Sequence, residues 1–228
     1  MEDCYIGKYK YGWYLKKQVV SEIGNGYNRT GGRAMCGRYY VDDETLKEIE
    51  RIVRHLEGRL PAYGKGKDIY PSGEAAVLFE KTEELAAGVM NWGFPGYEGS
   101  RLIINGRAEG AMEKRTFREN LLHRRCIIPA KGFYEWNRQK EKNSFYTEDG
   151  APLFMAGCYG FFGEERRFVI LTTKANPSVS CVHERMPLIL KRDEIENWIL
   201  NDSAVEDFLK KTPPMLARSQ EYEQMSLF

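Results

Sequence analysis

The sequence predicts an α+β fold in one domain, on three observations. Short apolar runs broken by turn residues recur from Asp68 to Thr172, the signature of successive strands. Four helical patterns stand before, among and after them. Strands and helices do not alternate regularly, so a parallel α/β sheet is not expected. No internal repeat is visible, and 228 residues suffice to bury a substantial core.

Residues 1–34 are rich in Tyr, Lys and Gly with no sustained helical or strand period. They read as an unstructured or weakly ordered extension, or as a mis-assigned start. The domain is expected over 35–212. Asp42-Asp43-Glu44 opens a helix whose apolar face is Leu46, Ile49, Ile52, Val53 and Leu56, with Gly58 after its end. Ala75–Phe79, Gly88–Trp92 and Leu102–Ile104 read as strands, and Lys114–Arg125 as a basic helix. Strand patterns return at Cys126–Ile128, Leu153–Tyr159 and Phe168–Thr172. Two short helices follow, Asp193–Leu200 and Ser203–Lys210, the second with a capping-box pattern of Ser203 and Glu206. Pro213-Pro214 stops it, and 213–228 reads as a flexible tail.

With 34 basic and 33 acidic residues, the global charge announces no nucleic-acid binder. The distribution is uneven: 101–125 carries seven basic and three acidic residues, a local strip suited to a short anionic ligand or simply to a solvated face. Five cysteines show neither a C-x-x-C pair nor metal-ligand spacing with His55, His123 or His183, so no metal or cofactor is expected. An odd cysteine count without a signal peptide points to the reducing cytoplasm, and no apolar run approaches a membrane span. Cys126 and Cys158 lie in apolar runs and read as core filler.

Met35-Cys36 is the chemically distinctive pair. Removal of a leading Met would leave a Cys with a free α-amine and a thiol on neighbouring carbons. Such a 1,2-aminothiol traps an aldehyde, first as an imine and then as a thiazolidine, with ordinary pKa values of about 8 and 8.5 within reach of neutrality. Aminopeptidases trim Met only at a terminus, and here 34 residues precede it.

Four further stretches bracket polar groups with Gly, Pro or aromatics. Asn105-Gly106-Arg107-Ala108-Glu109 follows an apolar run, so Asn105 is placed to orient a nucleophile and Arg107 to hold a phosphate. Asn-Gly is also a common hairpin turn. In Phe133-Tyr134-Glu135-Trp136 the wedged carboxylate should have a raised pKa, as a general acid requires. Alternatively, Phe133 and Glu135 face solvent while Tyr134 and Trp136 face the core. His183, in Val182-His183-Glu184-Arg185-Met186-Pro187, is a candidate for proton transfer or a structural histidine. Trp92, in Asn91-Trp92-Gly93-Phe94-Pro95, offers a stacking face for a base or ends a strand buried.

Together and in this order, MCGRYY, the WGF at Trp92, NGRAE, RCIIPAKGFYEW, LTTKAN and VHERMP resemble the SRAP (SOS response-associated peptidase) family of abasic-site processing proteins, from Met35 to about Leu200. The resemblance implies a branched mixed β-sheet surrounded by helices, with a groove for single-stranded DNA. It implies a covalent thiazolidine crosslink between an N-terminal Cys36 and abasic sites. By motif, Asn105 positions the amine, Glu135 and His183 carry the proton transfers, and Arg38, Trp92, Arg107 and Arg185 contact DNA. Where NARAE is familiar this chain has NGRAE, and Gly110 replaces a usual Thr or Ser. The competing readings are a catalytically silent single-strand binder and a cysteine peptidase using Cys36 and His183. Residues 31–34 (Gly-Gly-Arg-Ala) precede Met35 as a translated ribosome-binding site would, which makes Met35 the expected initiator. A monomer is expected. The tail Gln224-Met225-Ser226-Leu227-Phe228 resembles the short peptide by which bacterial repair proteins dock on the DNA sliding clamp, with Gln224, Leu227 and Phe228 as its contacts.

Overall fold

The computed structural model describes residues 37–97 and 101–221. Cys36 and the tail contacts Gln224, Leu227 and Phe228 lie outside the described residues. Contacts gather the chain from Met35 onward into one compact unit.

Three layers build the fold: a small sheet, a large branched sheet and a layer of helices. The small sheet runs in the order β14 (Ala217–Glu221), β9 (Lys142–Tyr146), β8 (Gly132–Trp136), β1 (Tyr39–Val41), β3 (Lys67–Ile69), antiparallel throughout. The large sheet runs β12 (Arg185–Pro187), β11 (Glu165–Lys174), β10 (Leu153–Phe162), β7 (Arg125–Ala130), β4 (Glu74–Lys81), β5 (Glu84–Trp92), β2 (His55–Leu56). It is mixed and branched. β6 (Asn105–Arg107) and β5 pair parallel with β11, and β13 (Ile189–Leu190) pairs with β10.

Both faces of the large sheet are covered, which explains the near-continuous apolar runs in the sequence. Ala75, Val77 and Phe79 of β4, Cys126 and Ile128 of β7, Met155 of β10 and Phe168 and Ile170 of β11 face the small sheet, meeting Tyr39, Phe133 and Phe145. Their alternates, Ala76, Leu78, Ile127, Phe154, Val169 and Leu171, face the helices. There they meet Ile49 of α1 (Asp43–Ile52), Phe117 and Leu121 of α2 (Arg115–His123), Trp198 and Ile199 of α4 (Ile195–Leu200) and Phe208 of α5 (Val205–Leu209). A four-residue α3 (Pro177–Ser180) precedes the loop to β12.

Several element boundaries differ from the sequence reading. Asp42 caps α1, accepting from Thr45 N at 2.8 Å, but the helix stops at Ile52 and Leu56 stands half exposed on β2. Asn105-Gly106-Arg107 is neither a turn nor the sequel to a strand at 102–104: it is the strand. Ser203 does not cap α5: Asn201 caps the 3-10 turn Asp202–Ala204 that leads into it, accepting from Ser203 N at 3.1 Å, and α5 itself starts after Ala204 with no side-chain cap. The expected free tail is ordered through Glu221. Asn176 Nδ2 donates to Pro213 O (3.0 Å) and Pro214 O (2.8 Å), Leu216 is buried, and 217–221 pair with β9.

Candidate active site

β8 carries the central carboxylate. Its alternation turns Phe133 (0% exposed) and Glu135 (3% exposed) inward against the large sheet, while Tyr134 and Trp136 occupy the other face half-buried. The alternative in which Glu135 faces solvent is thereby overturned: Phe133 stacks on Phe145 at 5.2 Å and anchors the inward side. Asn143, 1% exposed, is the residue of β9 paired with Glu135. Gly132 starts the strand where no side chain fits, since a Cβ there would lie 2.5 Å from both Phe145 O and the Tyr40 hydroxyl.

The β1–β8 register brings the start of β1 alongside the strand that carries this carboxylate. Tyr39 pairs with Phe133 and Tyr40 with Gly132, and Tyr134 N donates to Arg38 O at 3.1 Å. Counted outward in the same antiparallel register, position 37 falls opposite Glu135. Gly37 is peptide-bonded to Cys36.

Arg38 lies on the outer face of the small sheet. Its guanidinium sits 4.9 Å from the Trp136 ring, 5.0 Å from Tyr134 and 5.4 Å from Tyr70, with Nη1 bonded to the Tyr70 hydroxyl at 2.9 Å and Asp68 Oδ2 at 3.3 Å. Tyr40 stacks on Tyr134 at 5.0 Å, and Lys142 Nζ stands 4.1 Å from the Tyr134 ring. Burial, reinforced by the Asp68 carboxylate, pushes the Tyr134 phenol well above its ordinary value, so it stays a hydrogen-bond donor at any physiological pH. These aromatics were not singled out from the sequence, although the alternation of Phe-Tyr-Glu-Trp held the signal.

β11 gathers the remaining candidates. Asn105 pairs with Ile170 and Arg107 with Thr172, while Arg185 of β12 pairs with Lys174. Gly106 between them is buried, and a Cβ there would sit 3.3 Å from Leu171 and Phe117, so its bareness makes room for α2. Arg107 is exposed and opens onto a basin of about 660 Å³ lined also by Glu109, Gly110, Lys114, Lys174, Glu184 and Arg185. Arg185 is held rather than presented. Nη1 and Nη2 bond both Glu109 carboxylate oxygens at 2.7 Å, and Nη2 bonds Thr172 O at 2.6 Å. The fork holds the Glu109 carboxyl below the usual carboxylate range. His183 follows α3 with Nδ1 3.1 Å from Arg185 N.

Trp92 does not offer a stacking face. It is 0% exposed, stacked 6.3 Å from Phe168 and nearly parallel to it, with Nε1 donating to Ile104 O at 3.0 Å. Cys126 and Cys158 are likewise core residues, and burial raises both thiols far above any useful reactivity. Among the described residues no group of three or more His, Cys, Asp or Glu converges as metal ligands would, and no helix is long and apolar enough to cross a membrane.

Comparison with known proteins fits this arrangement. The abasic site processing protein YoaM of Bacillus subtilis is 28% identical over 193 residues, covering 77% of this chain and 84% of its own. YedK of Escherichia coli, also called an abasic site processing protein, is 28% identical over 176 residues, covering 72% and 79%. A crystal structure of a Bordetella bronchiseptica protein superposes with a TM-score of 0.68 at 25% identity, covering 82% of this chain and all of that one. Residues 35–226 match the family model described as SOS response associated peptidase, so the chain belongs to the SRAP family.

Proposed function

We propose that this protein processes abasic sites in single-stranded DNA by forming a covalent adduct through Cys36. The observation that supports the reading is the register of β1 on β8, which, continued by two residues, sets Gly37, bonded to Cys36, opposite Glu135, a carboxylate only 3% exposed. Names shared by the relatives support the substrate, and the family match begins at Met35.

The chemistry needs few groups. An abasic sugar exists mostly as a closed hemiacetal, and Glu135 would move the proton that opens it to an aldehyde. The α-amine of Cys36 adds to that aldehyde carbon and loses water to give an imine. Addition of the thiol to the imine carbon closes a thiazolidine, with no net redox change. Asn105, on the parallel strand β6, would orient the amine, and Arg107 with the Lys114 and Lys174 side of the basin would receive the flanking phosphates. Because the amine must be terminal, the reading requires Cys36 to become residue one, by initiation at Met35 followed by removal of that Met, or by cleavage between Met35 and Cys36 in the longer chain.

The test is a denaturing gel. Protein whose N-terminus is shown by mass spectrometry to be Cys36 should retain single-stranded DNA bearing an abasic site and ignore the intact strand. Cys36→Ala, or a chain that keeps residues 1–35, should give no adduct. Adduct formation by Cys36→Ala would refute the proposal, and turnover of unrelated peptides would favour a cysteine peptidase instead.

A further inference from the structure

The ring of His183 is held from one side by a group that cannot change its role. Arg185 N lies 3.1 Å from His183 Nδ1 with its hydrogen directed at the ring nitrogen, and a backbone amide is a permanent donor. A proton on Nδ1 would collide with that amide hydrogen, although the Arg185 carbonyl oxygen lies nearby at 3.3 Å. Nδ1 therefore acts as acceptor, and in a neutral imidazole the single hydrogen resides on Nε2.

The supports of this contact come from three elements. His183 N and Val182 N both donate to Val179 O of α3, at 3.1 and 2.8 Å, and Ala175 N donates to Glu184 O at 2.9 Å. On the far side, Arg185 is fixed by its two bonds to Glu109 and its bond to Thr172 O. Glu109 thus restrains, across the sheet, the residue whose amide selects the histidine tautomer. A bidentate carboxylate–guanidinium fork is the strongest and most directional of these restraints.

We propose that His183 is locked as the Nε2–H tautomer and serves as a hydrogen-bond donor, with Glu109 as its positioning residue. This rests on the functional reading above and sharpens it. A neutral Nε2–H polarises an oxygen of the opened sugar without taking up a proton, so proton transfer falls to Glu135. Arg107 and Lys114 attract the strand from the basin that Glu109 also lines, and through its fork to Arg185, Glu109 acts on His183 as well.

Nitrogen-15 spectra of histidine side chains test the assignment directly. The chain has three histidines, so His183→Ala identifies the signal. About two pH units above the ordinary imidazole pKa of about 6.5, wild-type His183 should show an unprotonated Nδ1 and a protonated Nε2. A protonated Nδ1 in the wild type would overturn the proposal without any variant. Glu109→Ala should mix the two tautomers and slow adduct formation between roughly 10- and 100-fold, read at DNA concentrations that saturate each variant so that a change in affinity does not enter. Glu109→Gln, which keeps the shape and one acceptor, should fall between, and it stands in if the alanine variant does not fold. An unmixed wild-type spectrum in both variants would remove Glu109 from the role. The spectra decide the tautomer whether or not DNA reacts, so failure of the functional reading and of this one are separately visible.

Discussion

Glu135 and Trp136 are neighbours in the chain and belong to opposite faces of one strand, and the candidate site depends on that division. The inward carboxylate is the residue to test for chemistry. Glu135→Gln removes the titrating proton but keeps the shape, and should slow adduct formation about 10²-fold while leaving affinity for intact single strands unchanged. Arg107→Ala should do the reverse, weakening binding and reducing the slope of log affinity against log salt by about one. Stopped gel time courses and binding titrations at several salt concentrations read both; equal loss of affinity in the two variants would contradict these roles. At this scale the sequence revealed residue types better than orientations. Phe-Tyr-Glu-Trp announces alternation, but which side faces inward is decided by Phe145 and the large sheet, many residues away. Trp92 is decided in the same way: the sequence left open a stacking face or a buried strand end, and Phe168 and Tyr39, distant in the chain, enclose the ring. Arg185 looks like a free cation until Glu109, distant in sequence, closes on it.

Elements fared according to how much of their stabilisation is local. β4, β7, β10 and β11 are apolar on both faces and read directly as strands. The small sheet is polar on one face and built from pieces of three to five residues, so β1, β3, β9 and β14 carry too little pattern to be seen. β6 escaped because Asn-Gly usually turns, and only its parallel pairing with β11 makes it a strand. One buried side chain ties the helical layer together. Arg125, 3% exposed, donates to Leu121 O and Leu122 O in the last turn of α2, at 2.9 Å each, and to Trp198 O (2.6 Å) and Ile199 O (2.9 Å) in α4. It places one positive charge at the negative ends of two helices and satisfies carbonyls that the helices leave open. Arg125→Met keeps much of the volume but strands those carbonyls, and should cost about 3 kcal/mol or more in urea denaturation. Asp202, which bonds Arg125 Nη2 at 2.6 Å with its side chain 68% exposed, should cost under about 1 kcal/mol when changed to Ala. Similar values for the two variants would mean that the carbonyl contacts do not carry the stabilisation.

At the scale of the described domain, the layered body and the short sequence that follows its last strand are both open to measurement. For the body, acid stability follows from its carboxylates. Glu57, held low by Lys81 and Arg166, and Glu109, held low by Arg185, have folded-state pKa values below their unfolded ones. Their stabilisation is therefore complete above the unfolded value of about 4.3 and is lost as pH falls through the folded values, so their contribution to the denaturation midpoint should be constant down to about pH 5 and fall below that, and Glu57→Gln with Glu109→Gln should flatten the acid limb. For the peptide, β14 sits at the edge of the small sheet, paired with β9 from Ala217 to Glu221, and seven residues follow it. At most about 3.4 Å per residue, they span no more than about 24 Å, so any partner they hold must sit close to the body. We propose that Gln224-Met225-Ser226-Leu227-Phe228 docks on a bacterial sliding clamp, Leu227 and Phe228 filling an apolar pocket and Gln224 bonding at its rim. Such docking would deliver the protein to replicating DNA, where single-stranded abasic sites arise. A peptide of residues 220–228 should bind purified clamp with micromolar affinity, and deleting Leu227-Phe228 should abolish binding of the full chain without slowing adduct formation on free oligonucleotides. No binding at high micromolar peptide, or undiminished binding by the truncated chain, would dispose of the clamp.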